Sequence, residues 1–351
     1  MRSLAGAVCI SVGSLLLAGA AEVTPKNATL VIARLGGTVT VDPDQKDHPV
    51  IAVALNHAKD ADRCLEVLAA YPSLRRLQIS ETPVTGSGLE NLQRLGGLQE
   101  LYLHDVAVRD VALRNLKSLH ALRKLTLSKL PITNEGLANL EGLTELEELS
   151  LVELPIGDAG LDHVRGLTNL RKLALPWTRV GDAGLRSLAK LTRLQELVLH
   201  DTRVTSAGFT RLKPLKRLRA LSVSADQITD FSVEYLKTLP ELRTIEMPGA
   251  EQTDAALDRL KPLDRIESLL LDRSDVTNGG LQALENFPKL RSLSLAMTQI
   301  TDAGLSHLKG LRQLEKVNLA LTDVTSQGTA SLKKALPKLE VTRDLDQAQS
   351  P

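Results

Sequence analysis

The chain repeats itself every 24 residues, and this period constrains its fold more than any other feature. Residues 170–193 read LRKLALPWTRVGDAGLRSLAKLTR and residues 194–217 read LQELVLHDTRVTSAGFTRLKPLKR, with apolar residues at the same positions. Counted from the first residue of each repeat, these positions are slots 1, 4, 6, 11, 16, 19 and 22. Self-similarity at a fixed period of this length is typical of a solenoid, in which successive coils stack on one another.

Eleven such repeats, here called coils, follow the same frame. They start at Leu74, Leu98, Leu122, Leu146, Leu170, Leu194, Leu218, Leu242, Ile266, Leu290 and Leu314. Only Gln252 and Thr329 place a polar residue in an apolar slot, and a twelfth, less regular coil starts at Val50. The sequence therefore predicts one repeat domain of about 12 coils over residues 50–338.

The hydrophobic period changes within each coil. Slots 4 and 6 alternate with polar residues, which predicts a short strand with one buried face. Slots 16, 19 and 22 are three apart, which suits one side of a short helical turn. In the connecting segment, exemplified by Thr301, Asp302 and Gly304, we expect the threonine hydroxyl to accept hydrogen bonds from the first helical turn. The aspartate would place a favourable charge at the positive end of that turn.

The pattern LxxLxLxxT-x-[IV]-T-D-x-G-L-x-x-L-x-x-L resembles the leucine-rich repeat, in the 24-residue form of the GALA and F-box-associated (cysteine-containing type) proteins. The resemblance implies an α/β fold: a right-handed solenoid shaped as an arc or horseshoe, with parallel strands on the concave face and short helices on the convex face. Each coil would contact only its neighbours, so the core would be a continuous apolar spine. No F-box is recognisable, so a ubiquitin-ligase role has no support.

Residues 1–20 have the composition of a secretory signal peptide. Arg2 precedes nineteen uncharged residues, and Ala18-Gly19-Ala20 is a small-x-small cleavage pattern. The segment is also long enough for an uncleaved membrane anchor, since about 18 apolar residues can span a bilayer. We favour cleavage, which leaves no membrane span and predicts an exported protein in the periplasm, in the cell envelope or secreted.

Residues 21–49 lie outside the repeat and are predicted to form an N-terminal cap, because a solenoid must cover its first core layer. We expect a short helix at Ala28–Leu35 and a strand at Thr38–Val41. At the other end, residues 339–351 are predicted to form a terminal strand and a disordered tail. Many extracellular relatives seal their ends with cysteine-rich caps, and the lack of those cysteines favours a bacterial source.

No set of residues has the pattern of a catalytic or metal site. Cys64 lacks the orienting third group that a Cys–His nucleophile needs, and a buried apolar role is expected. His104-Asp105 and His200-Asp201 occupy the same slots four coils apart, about 19 Å, which is too far for one metal ion. Since no phosphate loop or nucleophile elbow is present either, we expect a protein that is not an enzyme and uses no cofactor.

Charge also limits the possible partners. The net charge of +1, from 43 basic and 42 acidic residues, gives no bulk attraction to nucleic acid. Slot 3 alternates in sign along Arg76, Glu100, Lys124, Glu148, Lys172 and Glu196. Strands about 4.8 Å apart would place these residues in one column, where we expect neighbours to pair as a solvated ladder.

The outward slots 3, 5, 7 and the adjoining slot 8 contain the candidate binding residues, since slots 4 and 6 point inward. Trp177, the only tryptophan, lies in slot 8 beside Pro176. An exposed tryptophan next to Pro and Val is typical of a binding hot spot, whereas a tryptophan folded over its neighbours would be a packing residue. The candidate partner-binding residues are Tyr102, His104, Val152, Pro176, Trp177, Val198, His200, Leu270 and Met297. The last two belong to an apolar run that could be a second contact or a dimer surface; its members are Leu270, Ala296, Met297, Ala320 and Leu321.

These features favour an exported, non-enzymatic scaffold that recognises an unidentified protein or peptide through its concave face. The alternative is a cell-surface glycan or small-ligand binding protein. That alternative requires aromatic platforms, and the outward slots supply only Tyr102, with Trp177 at their edge. Slot 9 usually bonds the turn backbone through Asn or Thr, yet it is apolar at Val106, Leu130 and Leu154, where extra packing is the simplest explanation.

Overall fold

The computed structural model describes residues 24–249 and 253–343. The predicted signal peptide, the slot residue Gln252 and the predicted disordered tail therefore lie outside the described residues. The chain divides into two compact units, Met1–Leu170 and Arg171–Pro351, and each is described by itself.

The N-terminal unit contains strands that lie side by side in chain order. They are β1 Thr38–Val41, β2 Val50–Asn56, β3 Arg76–Ser80, β4 Glu100–His104, β5 Lys124–Ser128 and β6 Glu148–Val152. Strand β1 pairs antiparallel with β2, whereas β2 to β6 are parallel, with partners one repeat apart such as Leu77 and Leu101. The α-helices are α1 Pro25–Arg34, α2 Ala61–Val67, α3 Asn134–Leu137 and α4 Asp158–Leu161, and the 3-10 helices are Leu68–Ala70, Gly88–Arg94, Asp110–Leu116 and Ala138–Leu140.

The C-terminal unit repeats the same plan with parallel strands in register. They are β7 Lys172–Ala174, β8 Glu196–Val198, β9 Ala220–Ser222, β10 Thr244–Glu246, β11 Ser268–Leu270, β12 Ser292–Ser294, β13 Lys316–Asn318 and β14 Glu340–Thr342. The α-helices are α5 Asp230–Leu236, α6 Asp254–Arg259 and α7 Ser326–Ala335, and the 3-10 helices are Gly184–Lys190, Ser206–Leu212, Ala225–Gln227, Gly280–Asn286 and Gly304–Leu308. Strand β14 lies within the segment 339–351, where a terminal strand was predicted.

The apolar slots explain why each coil is one short strand and one short helix. Leu173 and Leu175, in slots 4 and 6, are fully buried, as are Leu185, Leu188 and Leu191 in slots 16, 19 and 22. Residues three apart eclipse one another on a 3-10 helix, which has three residues per turn, so this spacing favours 3-10 over α-helix. The predicted α/β solenoid of stacked coils is confirmed.

The segment before the first coil packs against that coil. Helix α1 starts at Pro25, before the predicted Ala28, and both Ala28 and Ile32 are buried. At Gly37 the chain passes so close to the coil that a Cβ would lie 2.7 Å from side-chain atoms of Ile32 and Leu55. This glycine is therefore required by space, and it lets α1 lie against the first core layer.

In several coils the slot-9 side chain forms a hydrogen bond with the backbone of the turn after the strand. In the C-terminal unit, four slot-9 threonines donate Oγ1–H to the slot-6 carbonyl of their own coil at 2.6 or 2.7 Å. These are Thr178, Thr202, Thr298 and Thr322. Where slot 9 is Asp226, the adjacent Gln227 donates to nearby carbonyls instead. The apolar residues Val106, Leu130 and Leu154 are all buried, which agrees with the packing explanation.

In several coils a polar side chain in slot 13 forms hydrogen bonds with the next coil. Asp302 Oδ1 accepts from the Thr325 amide at 2.8 Å, and Oδ2 accepts from the Thr325 hydroxyl at 2.6 Å. The Thr325 hydroxyl in turn accepts from the amide of Gly328 at the start of α7. The hydrogen bonds from Thr325 hold the pKa of Asp302 below its usual value. The sequence predicted a role for Asp302 only at its own helix, because its partners belong to the following coil.

The same link recurs along both units. Its described pairs are Asp62–Thr85, Asp110–Thr133, Asn134–Gly157, Asp182–Thr205, Asp254–Thr277, Asn278–Thr301 and Asp302–Thr325. Thr301 Oγ1 accepts from the Ala303 amide at 3.4 Å, but Ala303 is the N-cap of the helix Gly304–Leu308 and no side chain caps that helix, so the capping predicted for Thr301 is wrong. Thr325 does bond both its own helix α7 and Asp302 of the preceding coil.

The slot-13 link also explains the glycine in slot 15 of the next coil. A Cβ on Gly328 would lie 2.0 Å from Asp302 Oδ1, and one on Gly208 would lie 2.4 Å from Asp182 Oδ1. Two of the coils that another coil follows have neither Asp nor Asn in slot 13. Their slot-13 residues are Gly86 and Ser206, and slot 15 of the coil that follows is Ala112 and Ser232, respectively, instead of glycine. Ala256, which follows Asp230, departs from this rule. At the other junctions whose approach is described, such as Asp62 with Gly88 and Asp254 with Gly280, the close approach of the carboxylate or amide requires glycine.

We expect Gly208→Ala to lower the free energy of unfolding by about 1–3 kcal/mol, because its methyl group collides with the Asp182 carboxylate. Adding Asp182→Ser removes the collision, so the double variant should be destabilised by less than the sum of the two single changes. Urea denaturation of wild type and the three variants measures this coupling. Gly310→Ala is the control, since a Cβ there meets nothing within 4 Å. Additive losses at positions 182 and 208 would contradict the steric account.

Candidate protein-interaction surface

In every described coil except the one that contains Ala225, the slot-8 residue ends its strand with a positive φ, in the left-handed region of the backbone. Their φ values include 54° at Trp177, 59° at Met297 and 55° at Leu321. A non-glycine residue in this region costs roughly 1–2 kcal/mol, so the surrounding coil must hold it there. The conformation recurs from coil to coil, and it is therefore a property of the repeat. What differs between coils is the side chain exposed at this position.

Trp177 is held at one edge and exposed at the other. Its side chain contacts the His200 ring edge-on, with centroids 5.3 Å apart and planes at 85°. His200 is itself fixed by Asp201, whose Oδ2 lies 2.7 Å from Nδ1, and only 13% of the His200 side chain is exposed. Trp177 remains 55% exposed. The structure thus brings together two predicted site residues and leaves the larger one accessible.

A second exposed apolar pair lies further along the same unit. Met297 is 40% exposed and Leu321 is 54% exposed, and they occupy slot 8 of successive coils. Arg273 in the preceding slot 8 places Nε 3.3 Å from the Met297 sulfur. Leu270 is half-buried in slot 5, whereas Ala320 in the same predicted run is buried. The accessible part of that run is therefore Met297 and Leu321, with a partial contribution from Leu270.

The strand face of the C-terminal unit is polar in its later coils. Asp272 accepts hydrogen bonds from the Ser294 hydroxyl and from the Ala296 amide, and Asn318 donates to Ser294 at 3.1 Å. These hydrogen bonds fix the side chains of three successive coils. The side-chain carboxyl group of Glu246, on β10, forms no hydrogen bond or ion pair with any described residue. Its carboxyl group therefore differs from those of its neighbours.

Burial raises the pKa of Glu246. The nearby charges act in both directions: Lys172 and His200 lower this pKa, whereas Glu196 and Asp272 raise it. Because the charged form is poorly solvated and has no bonded partner, the strand face holds this carboxyl group at a cost to stability.

The predicted site residues of the N-terminal unit lie on its strand face. Tyr102 is half-buried and donates its hydroxyl to Glu100 Oε2 at 3.3 Å, while Arg76 Nε lies 2.5 Å from the same oxygen. His104 and Val152 are half-buried at the ends of β4 and β6. The predicted slot-3 ladder is confirmed by Arg76–Glu100 and, in further coils, by Lys124–Glu148 at 2.7 Å and Lys172–Glu196 at 2.8 Å. Charged pairs therefore line one edge of this face.

Two predicted residues offer less surface than the others. Pro176 is buried, although its slot points out of the strand, so it has little area for a partner. Val198 is half-buried. Phe231 on α5 was not among the residues predicted from the sequence, although it is exposed. Its ring contacts that of Tyr235, with centroids 5.0 Å apart. The available signal was that slot 14 is small or polar in most coils, whereas in this coil it is phenylalanine.

The comparison with protein families follows this geometry. A family model described as a leucine-rich repeat region matches residues 59–341. The chain belongs to the leucine-rich repeat family. The match spans the coils described above and includes both exposed apolar groups on the strand face.

Solved structures of bacterial proteins are similar to this chain. One is an internalin, InlF, of Listeria monocytogenes, with 19% identity and a TM-score of 0.50, covering 91% of this chain and 94% of that one. Another is a leucine-rich repeat protein of Leptospira interrogans, with 16% identity and a TM-score of 0.39, covering 79% and 80%. At these identities the likeness concerns the fold alone. No curated protein matched the chain.

Two kinds of feature are absent from the described residues. Within residues 24–249 and 253–343, no three His, Cys, Asp or Glu side chains are grouped so that they could hold a metal ion. No helix among those residues has the length and apolar character needed to cross a membrane. Cys64 is buried, and burial raises its pKa to about 11, so its thiol is protonated near neutral pH.

We expect Glu246→Gln to raise the melting temperature near neutral pH. The folded-state pKa of Glu246 lies above its unfolded value, so the folded protein binds more protons between these two values. Stability is therefore lost as pH rises through that window. Thermal melts across pH should show wild type and variant diverging above the ordinary pKa of glutamate and converging below it. Glu66→Gln, an exposed change on α2, should produce no such divergence, and equal or lower stability of Glu246→Gln at neutral pH would contradict this account.

Proposed function

We propose that this leucine-rich-repeat chain is an exported, non-enzymatic scaffold that recognises a protein or peptide through the concave face formed by its strands. Its repeats would be of the 24-residue type similar to GALA and F-box-associated proteins. Residues 1–20 would direct export, and residues 21–49 would cap the first coil. The repeat limits of 50–338 and the tail to 351 stay predictions.

The observation that carries this proposal is the exposure of Trp177. Tryptophan is enriched among residues that dominate binding energies, and here one ring edge packs on His200 while more than half of the residue is accessible. A side chain already held in one orientation loses little conformational freedom on binding. Trp177 therefore has the accessibility and the order expected of a protein-binding anchor.

The contrast between constant and variable slots of the coil supports the same proposal. The apolar slots carry leucine or another apolar residue in nearly every coil, whereas slot 5 differs from coil to coil. Its residues run Gln78, Tyr102, Thr126, Ser150, Ala174, Val198, Ser222, Glu246, Leu270, Ser294 and Asn318. A face with a constant scaffold and varied side chains is suited to recognising one particular surface.

We expect Trp177→Ala and Glu148→Lys each to abolish capture of a protein partner from the native envelope fraction. Neither should lower the melting temperature appreciably, because Trp177 is exposed and the pair of Glu148 with Lys124 lies at the surface. Pull-down followed by mass spectrometry, compared with wild type, measures the loss.

Phe231→Ala is the matched control, since Phe231 is 50% exposed but lies on a helix instead of the strand face. It should retain the partner. Capture that survives both Trp177→Ala and Glu148→Lys would contradict the assignment to the strand face. Binding on a glycan array without any protein partner would favour a glycan-binding function instead.

A further inference from the structure

Positive charge is concentrated in the coils that start at Leu170 and Leu194. Residues 183–219 contain nine Lys or Arg and two Asp or Glu, an excess of seven positive charges, whereas the whole chain carries +1. The even overall balance therefore hides a strongly basic segment. Its potential would attract anionic groups within about 8 Å at physiological ionic strength.

Part of this charge surrounds an open hollow on the helical side of the two coils. The hollow has a volume of about 450 Å³ and lies between the 3-10 helices Gly184–Lys190 and Ser206–Leu212 and the turn after them. It is lined by Arg186, Ala189, Thr210, Arg211, Lys213 and Pro214. Because its lining residues belong to helices and turns, it is separate from the strand face.

The cationic side chains at this hollow are not used by the fold. Arg186, Arg211 and Lys213 are exposed and form no ion pair with any carboxylate in residues 24–249 or 253–343. Two basic residues at equivalent positions of other coils are paired. Arg114, in the same slot as Arg186, lies 3.2 Å from Glu90, and Lys237 lies 3.1 Å from Glu234. The basic groups here are thus available to a ligand.

The lining also indicates the chemical class of that ligand. Ala189 and Pro214 supply an apolar wall, while the arginines can bind carboxylates in a two-point geometry. No aromatic residue lines the hollow, so it lacks the platforms on which nucleic-acid bases stack. It also lacks the large apolar side chains with which a peripheral protein enters a membrane. A peptide that alternates acidic and apolar side chains fits both parts of the lining.

We propose that the helical side of the coils starting at Leu170 and Leu194 binds an acidic peptide segment of a partner protein, with Arg186, Arg211 and Lys213 receiving its carboxylates. A second hollow in the same coils, of about 280 Å³, is lined by Arg171, Arg193, Gln195 and Arg217. It extends the basic surface toward the start of β8. This surface is additional to the strand face and does not depend on Trp177.

The test uses the full chain and a fluorescently labelled peptide of repeated Glu-Glu-Leu triplets, followed by fluorescence anisotropy. The expected result is salt-sensitive binding that weakens by about tenfold or more in Arg211→Glu/Lys213→Glu, since two attractions become repulsions. Lys309→Glu/Arg312→Glu makes the same change in net charge on exposed residues of another coil and should bind as wild type does. A Gln-Gln-Leu peptide should not bind.

Several results would overturn the proposal. One is an equal loss in both double variants, which would show an effect of net charge alone. Another is heparin, single-stranded DNA or phosphatidylglycerol vesicles binding as tightly as the peptide and losing affinity in the same variant. Arg211→Gln/Lys213→Gln, with circular dichroism on each protein, separates loss of binding from loss of folding. Trp177→Ala should bind the peptide normally, so failure of this proposal is distinguishable from failure of strand-face recognition.

Discussion

The packing of leucine between neighbouring coils is the interaction on which this structure depends. A single coil has one strand and one short helix, and it encloses too little volume to bury its own apolar side chains. Each leucine in slots 4, 6, 16 and 19 is buried only because the next coil covers it. Parallel strand pairing then satisfies the backbone between coils, and partners fall 24 residues apart because every coil has the same length. Stability therefore accumulates coil by coil.

The core and the surface are separated by position within the coil. Since the same seven slots build the core throughout, the other positions can change without disturbing the packing. In the C-terminal unit this freedom produces two distinct chemistries. The strand side has a partly exposed Trp177 and a polar network around Asp272, whereas the helical side has unpaired cations such as Arg211. A repeat of one kind thus supplies surfaces of different kinds.

The features that the sequence predicted are those expressed within one coil. The alternation of slots 4 and 6 predicts a strand, and the three-residue spacing of slots 16, 19 and 22 predicts a helical turn, because both depend on residues close in the chain. The link from Asp302 to Thr325 was missed because it spans 23 residues and exists only after two coils stack. The paired changes at slots 13 and 15, such as Ser206 with Ser232, were a signal that pointed to it.

The candidate site was predictable to a smaller extent. Trp177 was singled out by its rarity, but its contact with His200 depends on the positive φ of slot 8, which no residue type at that slot signals. Pro176 was expected at the surface and is buried. The basic hollow was missed because the charges of the whole chain nearly cancel, and only their placement on two adjacent coils reveals the excess.

Removal of one whole coil, residues 290–313, is the most direct test of the account. Asn278 would then meet Thr325 and Gly328, which are the same residue types as its present partners Thr301 and Gly304. The shortened chain should therefore keep a cooperative thermal transition, and its circular dichroism per residue should match that of wild type. Removal of half a coil, residues 290–301, should abolish the transition because the slots no longer align. If the whole-coil deletion unfolds as the half-coil deletion does, stacking of equivalent coils is not what holds this protein together.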